Sequence, residues 1–383
     1  MNPGASIIIV TYNSETSIVA CLTSVLNTLR PIDEVIIIDN FSADKTVDIV
    51  REFILKKGSI RFFPQMKNTG FSRGCNVGIE NSDKEFIILL NPDTEVFGEW
   101  TRKLTAHFSL YEKTGAVGAL SNHTLNSQNI ISYFEEYNDY LMNASGLIKE
   151  LGRRFYKRSI PTKLLMGFCL ALKREIIDQL GALDEDIFLG DDDLELSWRL
   201  RENGYWLRVA LDVFVNHENH VSFDTLPENE ADRFVQQGTD VLFRKMQAYY
   251  RPKKVPHPKI YFCIDWWRPS ILQEKSEEEI FNVDVLPCRY QEVIPRVKEF
   301  IAKKALDEAV ALLNAALKIR VNDYVLWMTL GSIYLQKKDW FDAEVALKNA
   351  WSLEREPGRA TTKLAEVYRM QNKPEQEYAF LKI

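Results

Sequence analysis

Apolar runs punctuate the first part of the chain at Ser6–Val10, Glu34–Ile38, Ile60–Phe63, Phe86–Leu90 and Ala116–Leu120, with stretches of helical period between them. Continuous β-branched runs such as Val35-Ile36-Ile37-Ile38 suit strands buried on both faces. The alternation predicts a doubly wound α/β layer built on a mostly parallel sheet. Ligands of such sheets sit beyond the carboxyl ends of the strands. That rule brings Thr11-Tyr12-Asn13, Asp39-Asn40 and Asn91-Pro92-Asp93 to one rim, although they lie far apart in sequence.

From Ser121 to Pro161 the periodicity weakens into aromatic and polar residues, which predicts an irregular lid or acceptor-binding segment. Order resumes over Leu164–Leu172, continues in a helix closing at Gly181, and leads to an amphipathic helix opened by Asp191-Asp192-Asp193-Leu194-Glu195. Residues 249–291, richer in Pro and charge, read as a connector given partial order by Trp266 and Trp267. Beyond it, Ala309, Leu313 and Ala316 recur as Ala343, Leu347 and Ala350 at an offset of 34 residues, the tetratricopeptide period. Trp327, Leu330, Gly331 and Tyr334 fit that repeat's first helix, and Leu364, Ala365 and Tyr368 restart it. The expected division is an α/β domain over 1–248, a connector over 249–291 and an all-α helical-repeat domain over 292–383.

Composition narrows the class. Hydrophobic residues at 46% and charged residues at 27% describe an ordinary globular protein, and 383 residues favour two domains. A net charge of −6 with dispersed Lys and Arg argues against a nucleic-acid partner. Cys21, Cys75, Cys169, Cys263 and Cys288 have no paired spacing, so free thiols in a reducing compartment are expected. No apolar stretch approaches the ~20 residues of a membrane span, and Met1–Ala5 lacks a basic leader. A cytoplasmic protein follows as the expectation, meeting any lipid substrate at the membrane face.

Four ordered blocks carry a resemblance. Ser6–Asn13 with Glu15, then Val35–Thr46, is similar to the opening of family 2 glycosyltransferases of the GT-A fold. Asn68–Ile79 resembles that family's next block, and Asn91-Pro92-Asp93 stands where its acidic metal motif occurs. Gly181–Glu185 followed by Asp192–Glu195 resembles the acceptor-side acidic motif, so the likeness covers about residues 5–223. It implies a GT-A catalytic domain, a nucleoside-diphosphate sugar donor (UDP or dTDP), a glycan or protein acceptor, Mg²⁺ or Mn²⁺, and an inverting single displacement.

Each position also has a physical reading. Asp39, ending a buried strand, either accepts a hydrogen bond from a nucleoside or closes a turn, while Asp44 is better placed to cap the following helix. Thr11, Tyr12, Asn13 and Asn40 share its rim, and Glu15 is either a nucleoside contact or a first-turn residue favoured by the helix dipole. In Asn68–Gly78, Gly70, Gly74 and Gly78 let backbone approach a diphosphate or let a helix pack closely on the sheet. Arg73 would offer charge-assisted bonds, with Asn68 and Asn76 facing the ligand.

Asp93 is the metal candidate, since hard divalent ions take oxygen ligands. Asn91 replaces the first aspartate of the family's commoner pattern and removes one unit of charge. His217, preferred over His220 because Ser222 and Phe223 fit the same block, stands where the resemblance implies a histidine completing the metal or diphosphate site; the alternative is a structural histidine. Gly167 would leave room for the donor sugar, and Cys169 is an inert core thiol.

Crowded carboxylates raise one another's proton affinity, which suits a general base. The resemblance gives Asp193 that role, with Asp192 and Glu195 in support and Asp191 at the helix cap. A sugar nucleotidyltransferase is a rival, but it calls for a Gly-rich basic loop where Thr11–Glu15 stands. A weakly catalytic scaffold is another, in which the repeats bind a partner or self-associate; Asn91 favours it and Asp192-Asp193 opposes it.

Overall fold

The computed structural model describes residues 2–57, 60–124, 127–140, 143–218, 230–251, 255, 257–262, 286–354 and 358–374. Two compact units form: Met1–Ser159 with Leu164–Leu242, and Ile160–Lys163 with Phe243–Ile383. His220, Ser222, Phe223, Cys263 and most of the expected connector, with Trp266 and Trp267, lie outside the described residues.

The strands are β1 (Asn2–Thr11), β2 (Glu34–Asp39), β3 (Ile60–Pro64), β4 (Lys84–Leu90), β5 (Thr94–Val96), β6 (Thr114–Ser121), the short β7 (Ser159–Thr162), β8 (Cys169–Lys173) and β9 (Trp206–His217). Helices α1 (Ile18–Thr28), α2 (Thr46–Lys57), α3 (Phe71–Glu80), α4 (Trp100–Leu110), α5 (Ala144–Phe155), α6 (Arg174–Leu180) and α7 (Asp192–Glu202) alternate with them, and α8 (Glu230–Tyr249) follows. The sheet runs in the order β3-β2-β1-β4-β8-β6-β9-β5. The parallel β3-β2-β1-β4 half matches the expectation drawn from the β-branched runs.

Strand β8 is the departure. It lies antiparallel between β4 and β6, so the expected strand at Ala116–Leu120 neighbours β8 and β9 rather than β4. An apolar run does not encode its own direction, and this insertion was invisible in the pattern.

Alternation along β1 sends Ile7 and Ile9 into a core with Ile18, Cys21, Leu22 and Val25 of α1 and Trp100 and Leu104 of α4. The opposite face receives α3. A Cβ at Gly74 would stand 2.8 Å from Val10 Cγ1 and one at Gly78 2.4 Å from Ile8 Cγ2, so these two glycines serve close packing of helix on sheet.

The 121–161 segment is more ordered than expected. After two 3-10 turns at Ile130–Ser132 and Glu135–Tyr140, α5 is capped by Asn143, whose side chain accepts from Gly146 N, and packs on β9. Leu147 and Leu151, one helical turn apart, are buried there. This part of the segment belongs to the core rather than to a lid.

The second unit contains α9 (Pro258–Tyr261), α10 (Val293–Ala302), α11 (Leu306–Ile319), α12 (Tyr324–Lys337), α13 (Trp340–Leu353) and α14 (Arg359–Met370). From α10 to α14 each helix packs on the next. Ala309, Leu313 and Ala316 are buried, as are their counterparts Ala343, Leu347 and Ala350. A Cβ at Gly331 would lie 2.6 Å from Leu347 Cγ, which draws α12 and α13 together. Among the described residues no helix is long and apolar enough to cross a membrane.

Candidate active site at the carboxyl edge of the sheet

Parallel register sets the rim: Thr11 pairs with Asp39, and Ile9 with Leu90, so β1, β2 and β4 end together. Asp39 is buried, its Oδ1 accepting from Thr11 Oγ1 at 2.9 Å and Ser42 Oγ at 2.6 Å, its Oδ2 from Ser42 N at 3.0 Å. The turn role is therefore realised, and Oδ2 retains lone-pair capacity for a ligand. Asn13 accepts from Ala43 N at 2.8 Å, and its own N–H donates to Ser42 Oγ at 2.9 Å. Tyr12 N donates to Ser14 Oγ at 3.3 Å.

Several expected ligand contacts are occupied by the fold. Glu15 and Asp44 lock two loops reciprocally: Glu15 N donates to Asp44 Oδ2 at 3.0 Å and Lys45 N to Glu15 Oε2 at 3.0 Å. Asp44 Oδ1 also takes Thr46 N, as the capping expectation required. Asn40 donates to Asn68 Oδ1 and Gly70 O and accepts from Thr69 N, while Asn68 accepts from Gly70 N. Gly70 adopts φ +89°, and a Cβ there would stand 2.5 Å from Phe188 O, the oxygen that receives Phe71 N at 2.7 Å.

Arg73 and Asn76 have protein partners in this structure. Arg73 pairs with Glu80 at 2.8 Å and Glu185 at 2.9 Å on the surface, so its charge is already compensated away from a diphosphate. Asn76 is buried, donating to Leu183 O and Glu185 Oε1 and accepting from Leu183 N. It ties α3 to the loop before the acidic helix. Glu15, Asn68, Arg73 and Asn76 thus shape the rim from behind.

The next group has the opposite character. Asp93 Oδ1 lies 3.3 Å from His217 Nε2 and both residues are buried. Among the described residues Asp93 Oδ1 and His217 Nδ1 have no hydrogen-bond partner. Antiparallel pairing of Thr94 with His217 fixes the approach, and the His217 ring stacks on Phe168 at 5.2 Å between centroids. Two ligands on one divalent ion, each at about 2.1 Å, lie roughly 3 Å apart, so an oxygen and an imidazole nitrogen at this spacing fit such an ion. No cluster of three His, Cys, Asp or Glu occurs among the described residues, so further ligands would come from water and diphosphate. Asn91 contributes backbone: its N donates to Phe168 O at 2.9 Å and its O accepts from Thr94 Oγ1 at 2.7 Å.

Gly167, one residue before Phe168, reaches the acidic turn. Its N–H donates to Asp193 Oδ2 at 3.1 Å, and a Cβ there would lie about 4 Å from carboxylate oxygens of both Asp192 and Asp193. Asp192 and Asp193 thus both face Gly167. Burial, with Asp191 and Glu195 adding to it, pushes Asp192 up to about 7. Burial, then Asp192 and Asp191, holds Asp193 well above the usual carboxylate range.

Two members of the acidic run do other work. Glu195 is fully buried with both oxygens on Arg199 at 3.0–3.1 Å, and Arg199 also donates to the carbonyls of Leu180, Gly181 and Ala182. Through Arg199 this pairing staples α7 to the end of α6. Asp191 is left-handed at φ 63° and makes no side-chain cap; its carboxylate accepts from Thr239 Oγ1 of α8.

Ser42, Phe168 and Gln128 escaped sequence reasoning. Ser42 had a local signal, three residues after Asp39 in an Asx-type turn. Phe168 had none, and Gln128, which accepts from Met166 N at 2.7 Å and donates to Ala119 O, joins the site across 38 residues of chain. Cys169 is buried with its thiol pushed up by burial, as expected of an inert core cysteine.

Residues 6–181 match the family model described as Glycosyl transferase family 2. Poly-beta-1,6-N-acetyl-D-glucosamine synthase of Staphylococcus epidermidis is 24% identical over 260 residues, which is 66% of this chain and 58% of the relative. The low-salt glycan biosynthesis hexosyltransferase Agl10 of Haloferax volcanii is 26% identical over 201 residues, 51% of this chain and 61% of the relative. The chain thus spans less than two thirds of the length of these curated relatives. The crystal structure of S. aureus TarS 1-349 in complex with UDP-GlcNAc superposes with a TM-score of 0.48 at 14% identity, covering 96% of this chain and 92% of that one. The family match contains Asp39, Asp93 and Gly167 and ends before the acidic turn.

Proposed function

We propose that this chain, whose residues 6–181 carry the family 2 glycosyltransferase pattern, moves one sugar from a nucleoside-diphosphate donor (UDP or dTDP) to a hydroxyl of a glycan or protein acceptor. The observation that carries the reading is the Asp192-Asp193 pair, of raised proton affinity, held through Gly167 and Phe168 beside the Asp93–His217 pair. In a single inverting displacement, the acceptor oxygen forms its bond to the anomeric carbon as the bond from that carbon to the diphosphate oxygen breaks. The acceptor proton passes to Asp193, and the nucleoside diphosphate leaves. Asp192 raises the proton affinity of Asp193 and positions the acceptor.

Asp93 and His217 would hold Mg²⁺ or Mn²⁺, with the backbone of Asn91 bracing them. Such an ion, when bound, offsets the charge developing on the leaving diphosphate. Thr11, Tyr12, Asn13 and Asp39 form the nucleoside end, with Asn40 bracing it from behind, and Gly167 leaves space for the sugar. Helices α10–α14 we read as a short tetratricopeptide-like array that binds the acceptor or a protein partner, or mediates self-association, which the buried 34-residue recurrence supports.

Thermal unfolding with a panel of sugar nucleotides, with and without Mn²⁺, tests the reading, because a ligand selective for the native state raises its stability with saturation. The expected result is a metal-dependent rise in Tm for a UDP or dTDP sugar, followed by transfer or slow hydrolysis of that donor. No Tm response to any sugar nucleotide would sink it.

A further inference from the structure

One residue of the rim sits in a conformation its type does not favour. Phe41, two residues after Asp39, has φ 71° and is 56% exposed. A bulky non-glycine side chain at positive φ is an outlier, and such outliers persist only where their surroundings fix them. The flanks do so here. Asn40 is bound to Asn68, Gly70 and Thr69, and Ser42 to Asp39 through both its N–H and its hydroxyl. Ser42 Oγ also receives Asn13 N at 2.9 Å, so the turn is anchored to the end of β1 as well.

The turn chemistry alone would favour Gly, or Asn, at such a position. Folding does not account for the ring either: Phe41 is absent from the buried core, and among the described residues it stacks on no aromatic ring and no cation. A strained backbone, in a turn that Ser42 ties to Asp39 and Asn13, therefore carries an exposed aromatic ring with no stacking partner among the described residues. We infer that Phe41 is a donor-binding residue whose ring stacks on the nucleobase. This rests on the reading of the rim as a nucleoside-diphosphate site. Every base has a π-face, so the contact would supply affinity for the nucleoside portion and none for the diphosphate.

The test compares wild type with Phe41→Gly, Phe41→Leu and Phe41→Trp by calorimetric titration with UDP, dTDP, GDP and inorganic diphosphate, alongside thermal unfolding. Phe41→Gly is expected to lose about tenfold or more in affinity for the nucleotide that wild type binds best, while its affinity for inorganic diphosphate stays within about twofold. It should also unfold at a higher temperature, because glycine removes the positive-φ strain. Phe41→Leu should weaken nucleotide binding in the same direction, and Phe41→Trp should retain it, with the added indole quenched on binding.

Unchanged nucleotide affinity in both Phe41→Gly and Phe41→Leu would overturn the inference and leave the function reading standing. Equal losses for nucleotide and inorganic diphosphate, with a lowered Tm, would also overturn it, since the ring would then support the turn. Wild type that binds none of the nucleotides would overturn both, and only that outcome reaches the function reading itself.

Discussion

Asn40 and Asn76 engage both ends of their side-chain amides with protein, whereas Asp93 Oδ1 and His217 Nδ1 are buried with no hydrogen-bond partner among the described residues. Both groups belong to the carboxyl edge of one sheet. Buried polar atoms are normally satisfied, so the first group behaves as scaffold and the second invites a ligand. The acidic turn divides in the same way. Glu195 is paired with Arg199, while Asp192 and Asp193 both face Gly167 with proton affinities driven up by burial and by neighbouring carboxylates. Polar residues with spare capacity are where chemistry is expected, and saturated ones hold the shape.

The largest effect that would break this contrast is at Asp193. Asp193→Asn should lower transfer turnover by about a thousandfold. Its stability should move the other way. A carboxylate whose folded-state proton affinity is raised loses stability for the fold as pH climbs from its unfolded value toward the folded one. The Asn variant escapes that loss, so its Tm should exceed the wild-type value by a margin that widens above about pH 4. Unchanged turnover in a folded Asp193→Asn variant would remove the base assignment.

Next in size is the metal. Chelation should depress turnover by about a hundredfold, with recovery on adding Mn²⁺, and His217→Ala should require more Mn²⁺ for half-recovery. Turnover insensitive to chelation would transfer the role of charge stabilisation to protein groups alone.

Smaller effects sharpen the scaffold side. Asn76→Ala strands the backbone N–H and C=O of Leu183 and should cost about 2 kcal/mol of stability, read by denaturant unfolding, while donor KM changes little. Arg73→Gln removes only exposed ion pairs and should cost less than about 1 kcal/mol, with inorganic diphosphate affinity unaffected. A selective loss of diphosphate affinity in Arg73→Gln would return Arg73 to the ligand.

The legibility of the chain follows the range of its determinants. The strands from Ser6–Val10 to Phe86–Leu90 were readable because continuous burial leaves a continuous apolar run. The α6 terminus was readable because Gly181 takes φ 88° at the helix end. Direction and insertion order were not: β8 enters the sheet antiparallel through a pairing that no local pattern records. Helix α5 was missed because two buried leucines amid charged neighbours make a weak stripe. At the site, the acidic run and Asp93 stood out by residue type alone. The partners of Arg73 and Asn76 at 183–185 were not readable because they lie more than 100 residues away.

The pH dependence of kcat/KM, measured for wild type and Asp192→Asn, tests the central claim most directly. A base of raised proton affinity is protonated and idle at low pH, so wild-type activity should rise with pH through an apparent pKa of the coupled pair well above the usual carboxylate range. Removing the Asp192 charge takes away one cause that raises Asp193, so the acid limb should move to lower pH in Asp192→Asn. A limb that stays in place, or moves upward, would contradict the assignment of this pair as the seat of the chemistry.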